Sequence, residues 1–208
     1  MDERMQKMIN DKVRNYRELN KVAEKHQIVL AGSSLMDYFP VNELMMDAGD
    51  FRKVYNRGIA SFTVSQYDEV LDIVLDLEPS KLFINIGTND LNRGGDTIGN
   101  LIRCYRALLE RIRRTLPQCE ITCLAYYPCL KAEKPETREG RIARTIENVN
   151  LANEEVRRMC AEMGLRFIDL NAPLKDENGY LRKELALDQL HFSAAGYVEV
   201  LRQLREYF

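Results

Sequence analysis

Two adjacent serines, Ser33 and Ser34, close the stretch "IVLAGSS", and the chain has two histidines, His26 and His191, that could serve either of them. A serine hydroxyl becomes a useful nucleophile only when a neighbouring base removes its proton. His26 precedes the apolar run and so belongs at the N-terminal end of the strand that this run predicts. The serines lie past its other end, roughly 20 Å away at the usual rise per strand residue, so His26 cannot be their base. His191 follows Asp188 by three residues in "DQLH" and stands two before the last predicted helix, so one turn can aim both side chains the same way. An aspartate that accepts the imidazole N–H fixes its tautomer and stabilises the imidazolium formed during reaction. Without Asp188, the positive end of the following helix would disfavour that cation by about 0.3–1 kcal/mol. Asp169, in "FIDL", also ends a predicted strand and is the reserve acid, but no histidine lies near it in sequence.

The elements that must hold these residues follow from periodicity. Met5, Met8/Ile9, Val13, Tyr16, Leu19 and Val22/Ala23 recur every three or four residues, which predicts one amphipathic helix over about residues 3–25. Beyond it, the short apolar runs "IVLA", "KVYN", "KLFINIG", "ITCLAYY" and "LRFIDL" are separated by longer segments, most with helical periodicity. That alternation predicts a parallel sheet covered by helices, an α/β fold. Pro79 and Pro117 mark boundaries, Gly164 suits a helix C-cap, and Ser193 suits the N-cap of a last helix running to the C-terminus. The segments "DLNRGGDT" (90–97) and "PCLKAEKPETREG" (128–140) read as long loops after strands, at the end where open parallel sheets bind ligands.

Composition narrows the rest. The chain has 208 residues, 45% of them hydrophobic, enough for one domain over 1–208 with a sizeable core. A formal net charge of −2 gives no electrostatic reason to expect nucleic acid or an anionic membrane as partner. The start is charged throughout and no run approaches the length of a membrane span, so the expected location is cytoplasmic. Five cysteines without a Cys-x-x-Cys pair read as reduced thiols, and two histidines are too few for an ordinary zinc site. There is no Gly-x-Ser-x-Gly elbow, Walker loop, Gly-x-Gly-x-x-Gly or His-Glu-x-x-His.

Four polar sites remain: "GSS" (Gly32 to Ser34), "NRGIAS" (Asn56 to Ser61), "GTND" (Gly87 to Asp90) and "DQLH" (Asp188 to His191). In this order, over nearly the whole chain, they resemble the motifs of the SGNH subgroup of the GDSL lipase/esterase family. The resemblance implies a flavodoxin-like three-layer α/β/α sandwich. It also implies Ser34 as nucleophile, His191 and Asp188 as base and orienting acid, and an oxyanion hole formed by the N–H groups of Ser34 and Gly58 with the Asn89 amide. The implied activity is hydrolysis of a carboxylic ester, such as an acylated sugar, a lysolipid or a small ester, through an acyl-serine, with no metal or organic cofactor. One departure is that Ser33 stands where the family has aspartate, which bears on rate because a hydroxyl carries no charge and accepts fewer hydrogen bonds.

Each residue also has an ordinary use. Ser34 could cap a turn, Asn89 and Asp90 could bond their own backbone, and Gly58 could be a turn glycine. Met45 and Met46 suit core packing better than an acyl pocket, and the arginines of "RCYRALLERIRR" suit a solvated face. A binding module holding an acylated or sugar ligand without turnover is the alternative, and a nucleotide- or flavin-binding domain fits less well because "GSSLMDYFP" has few phosphate-cradling groups. The N-terminal helix is expected to pack on its own sheet, with a homo-oligomer as the other use of its apolar face.

Overall fold

The computed structural model describes residues 3–91, 97–131 and 145–208, so most of the two segments read as long loops lies outside the described residues. All five apolar runs form strands: β1 (Ile28–Gly32), β2 (Val54–Gly58), β3 (Lys81–Asn85), β4 (Glu120–Leu124) and β5 (Arg166–Ile168). They pair in parallel in the order β2-β1-β3-β4-β5. Before the first strand lies α1 (Glu3–Asn20), between strands lie α2 (Ser34–Asp37), α3 (Val41–Asp47), α4 (Val64–Glu69), α5 (Asp72–Leu75), α6 (Thr97–Thr115) and α7 (Ile146–Met163), and after the last comes α8 (Ala194–Leu204).

Alternation along the strands divides the core into two layers of side chains, because successive strand residues point to opposite faces. Val29, Ala31, Leu82, Ile84, Ile121 and Cys123 meet the apolar sides of α1, α4, α5, α6 and α7. Leu30, Phe83 and Leu124 meet α2, α3 and α8 on the other face. This is the three-layer α/β/α sandwich. Helix α1 contributes Ile9 and Val13 to the first layer and so packs on its own sheet.

The expected caps operate: Gly164 ends α7 in the left-handed region (φ 66°), and the Ser193 hydroxyl accepts the Gly196 N–H at the start of α8. Helix α1 ends at Asn20, earlier than the apolar periodicity predicts. The N–H groups of Lys21 and Val22 bond three residues back in a tightened last turn and Val22 is exposed, while Ala23, beyond the helix, still packs against the core. The arginines of α6 also differ from a merely solvated face. Arg106 pairs with Glu162 of α7, Arg111 with Asp68 of α4, and Arg113 donates to Met163 O, tying α6 to both neighbours.

Because β1 has β2 on one side and β3 on the other, the chain direction around the sheet reverses there. Such a switch point leaves a crevice at the C-terminal strand ends. Ser34 follows β1, residues 59–63 follow β2 and Asn89 follows β3, so the sheet delivers three of the four sites to one crevice.

Candidate active site

Gly32 lets the chain turn from β1 into α2. Its φ of 153° is one that other residues rarely adopt, and a Cβ there would lie 2.1 Å from Asn85 O. Ser33 occupies the N-cap position of α2 but makes no side-chain cap, and its buried hydroxyl has no partner among the described residues. Ser34 is therefore the first residue of the helix rather than its cap. The two side chains diverge, and only that of Ser34 meets the histidine.

The Ser34 hydroxyl oxygen lies 2.9 Å from His191 Nε2, and His191 Nδ1 lies 2.7 Å from Asp188 Oδ2. A carboxylate only accepts, so the ring proton sits on Nδ1 and points at Asp188, leaving the Nε2 lone pair for the serine proton. Asp188 also accepts the N–H groups of Leu190 and His191 at 2.8 and 2.7 Å, so one short turn orients carboxylate and imidazole together. Partial burial works against its charge, but the bonds from the His191 ring and the two N–H groups hold its carboxyl below the ordinary aspartate range. Asp169, the reserve acid, accepts the Asn171 N–H instead and makes no contact with His191.

The turn carrying His191 is fixed to α2 by aromatic packing. Tyr197 of α8 stacks on Phe39 with ring centroids 5.0 Å apart, meets Phe192 edge-on, and donates to Leu35 O. Tyr38, half exposed, tilts over the imidazole at 5.2 Å. Nothing in the sequence singled out Tyr38. Of the two methionines that follow Ser34 in α3, Met45 is buried in the core and Met46 is exposed.

The oxyanion side differs from the expectation for Gly58. Its N–H donates to the Asn56 side chain at 2.8 Å and is not open to a ligand. The glycine is needed for close packing, since a Cβ would lie 2.2 Å from Asp37 N. Downstream, the N–H groups of Ile59, Ala60, Phe62 and Thr63 are all engaged, with Gly32 O, Asp37 Oδ2, Ile59 O and Gln66 Oε1 respectively. Ser61 is the exception: exposed, at a φ of 67° that non-glycine residues seldom adopt, and with an N–H that bonds no other group among the described residues. Residue type carried no signal for it, because a serine does not advertise a left-handed backbone. Asn89 donates one amide hydrogen to Phe62 O at 2.9 Å and keeps a second. Asp90 accepts the Val64 N–H, a structural bond at the start of α4.

A parallel α/β/α sandwich with a serine, an imidazole and a carboxylate in line at its switch point is the architecture of a serine hydrolase. The match to known families agrees: residues 41–198 fit the model of the GDSL-like Lipase/Acylhydrolase family, and the chain belongs to it. Among solved structures, it resembles a Streptococcus pneumoniae protein named for platelet activating factor (27% identity, TM-score 0.85, 98% of this chain and 94% of that one). A GDSL-like lipase from Bacteroides thetaiotaomicron shares the fold (17% identity, TM-score 0.76, 94% and 96%). Among curated proteins, N-acylneuraminate cytidylyltransferase of Escherichia coli O18:K1:H7 is 26% identical over 97% of this chain, which spans about half, 46%, of that protein. Among the described residues, no helix is long and apolar enough to cross a membrane.

Proposed function

We propose that the protein hydrolyses a carboxylic ester through an acyl-serine on Ser34, with His191 as base and then acid and Asp188 as its orienting acid. The observation that carries this reading is the unbroken line from Ser34 Oγ to His191 Nε2 and from His191 Nδ1 to Asp188 Oδ2. Ser34 attacks the carbonyl carbon while its proton passes to Nε2. The imidazolium returns that proton to the leaving alcohol, and water repeats the attack with His191 again as base.

Negative charge on the carbonyl oxygen needs donors that are not already engaged. The Ser34 and Ser61 N–H groups and the second hydrogen of the Asn89 amide meet that condition, whereas the Gly58 N–H does not. Gly58 is therefore replaced by Ser61 in the proposed hole. The left-handed backbone of Ser61 supports its assignment, since strain of this kind is maintained where a site needs it.

The substrate is proposed to be a short acyl ester of a polar alcohol. The test is a panel of p-nitrophenyl acyl esters of increasing chain length beside acetylated sugars, lysolipids and O-acetylated N-acylneuraminate, the last chosen because of the sugar acid in the name of the E. coli relative. Hydrolysis that is fastest for acetyl esters and falls with chain length supports the reading. Preference for long acyl chains would redirect it to a lipase or lysolipase.

A further inference from the structure

We propose that Asp37, paired with Lys12 of α1, is a positioning residue that fixes the oxyanion loop to the nucleophile helix, which makes the N-terminal helix a working part of the catalytic centre. The inference rests on the acyl-serine reading above and concerns how its loop is held.

Asp37 ends α2, one turn beyond Ser34. Its side chain is only 10% exposed, and both carboxylate oxygens are engaged, Oδ1 with the Lys12 ammonium and Oδ2 with the Ala60 N–H, which it accepts at 2.8 Å. A carboxylate so placed needs a cation, and Lys12 of α1 supplies it. The Ala60 N–H belongs to the peptide directly before the one that carries the Ser61 N–H. Ile59 N–H is held by Gly32 O at 2.9 Å, and Phe62 O is held by the Asn89 amide at 2.9 Å. The loop is therefore pinned on both sides of Ser61, and two of its three bonds lead back to the segment that carries the nucleophile. Nucleophile and oxyanion donor are referenced to each other rather than to β2 alone.

Helix α1 is anchored at the same place by more than apolar packing. The Tyr16 hydroxyl donates to Gly58 O at 2.9 Å. Arg57, 4% exposed, lies against the Tyr16 ring and donates twice to the Asn20 side chain. A helix that only covered the sheet would need Ile9 and Val13, not a partly buried ion pair to the carboxylate that holds the loop after β2.

The experiment measures kcat, KM and thermal midpoint for Asp37→Ala, Asp37→Asn and the charge swap Lys12→Glu with Asp37→Lys, using p-nitrophenyl acetate. Asp37→Ala frees the Ala60 N–H, and a misplaced donor should lower kcat about 10–10²-fold with little change in KM. Asp37→Asn keeps an acceptor for that N–H and should stay within roughly fivefold of the parent, about the worth of one ordinary hydrogen bond. The swap re-forms the ion pair and should recover the thermal midpoint but not kcat, because an ammonium cannot accept an N–H. The proposal is overturned if Asp37→Ala turns over normally, or if the swap recovers kcat together with the midpoint. Should Asp37→Ala fail to fold, the swap alone decides. An inactive parent that also resists fluorophosphonate labelling would remove the acyl-serine reading itself, and this proposal with it.

Discussion

The two histidines sit at opposite ends of the same strand, and each has an acid beside it. His26, before β1, has Nδ1 3.0 Å from Glu78 O and Nε2 3.9 Å from the Glu78 carboxylate, with its side chain 71% exposed. His191, beyond the other end of β1, has Nδ1 2.7 Å from Asp188, with its side chain 21% exposed. Both even lie next to strained or tightly turned backbone, His26 itself being at φ 61°. What separates them is the second nitrogen: that of His191 faces the Ser34 hydroxyl, while that of His26 faces only the carboxylate of the same Glu78 whose backbone carbonyl meets its first. An acidic partner alone does not make a histidine a base for catalysis. It must be oriented on one side and offered a proton on the other.

The comparison breaks most visibly at the nucleophile. Ser34→Ala and His191→Ala should each lower kcat by about 10⁶-fold, and the double variant should be little worse, because groups that act as one unit are strongly non-additive. Steady-state kinetics of the three variants checks this, and additive losses would mean that the two residues do not cooperate. Asp188→Asn should cost about 10⁴-fold with binding retained, since an amide presents the wrong hydrogen-bonding pattern to the ring. Asp169→Asn, measured beside it, should be mild.

The same variant sharpens the pH behaviour. The folded Asp188 carboxyl lies below its ordinary value, so its stabilising contribution is complete above about pH 3.9 and is lost as pH falls towards the lowered value. It stays charged through the mildly acidic range and so keeps its hold on the imidazole there. Thermal melts of Asp188→Asn should accordingly show a flatter acid side than those of the parent, by a small amount because the carboxylate is half exposed.

Smaller effects test the surroundings. Asn89→Ala should cost about 10²–10³-fold in kcat if its second amide hydrogen meets the oxyanion, and a normal rate would reduce Asn89 to a tie for Phe62 O. Ser33→Ala removes a buried hydroxyl that has no partner among the described residues and should lose at most about tenfold. His26→Ala should leave kcat within about twofold, as expected for an exposed side chain away from the chemistry. A large loss there would undo the contrast between the two ends of β1.

The sheet was legible in the sequence because each strand is a short apolar run bounded by turn residues, and burial on both faces requires such runs. The Ser34, Asp188 and His191 constellation was legible because histidine is scarce and because Asp188 sits one turn from His191, a spacing that short-range geometry can interpret. The oxyanion side was not. The family resemblance pointed to Gly58, yet its lack of a side chain serves contact with Asp37 and its N–H is held by Asn56, whereas the donor proposed in its place, Ser61, has a backbone angle with no signature in residue type. The contact between Lys12 and Asp37 joins residues 25 apart whose types suit any charged surface, so periodicity placed Lys12 on a helix without saying what it faced.

The identity of the nucleophile, Ser34 rather than Ser33 or another serine, is the point on which every other assignment turns. Incubating the protein with an alkyl fluorophosphonate and mapping the adduct by peptide mass spectrometry addresses it without knowledge of the substrate. One adduct per chain is predicted, on Ser34, formed in step with loss of esterase activity, absent in Ser34→Ala and retained in Ser33→Ala. An adduct on Ser33 or elsewhere, or full esterase activity after Ser34 is removed, would contradict it.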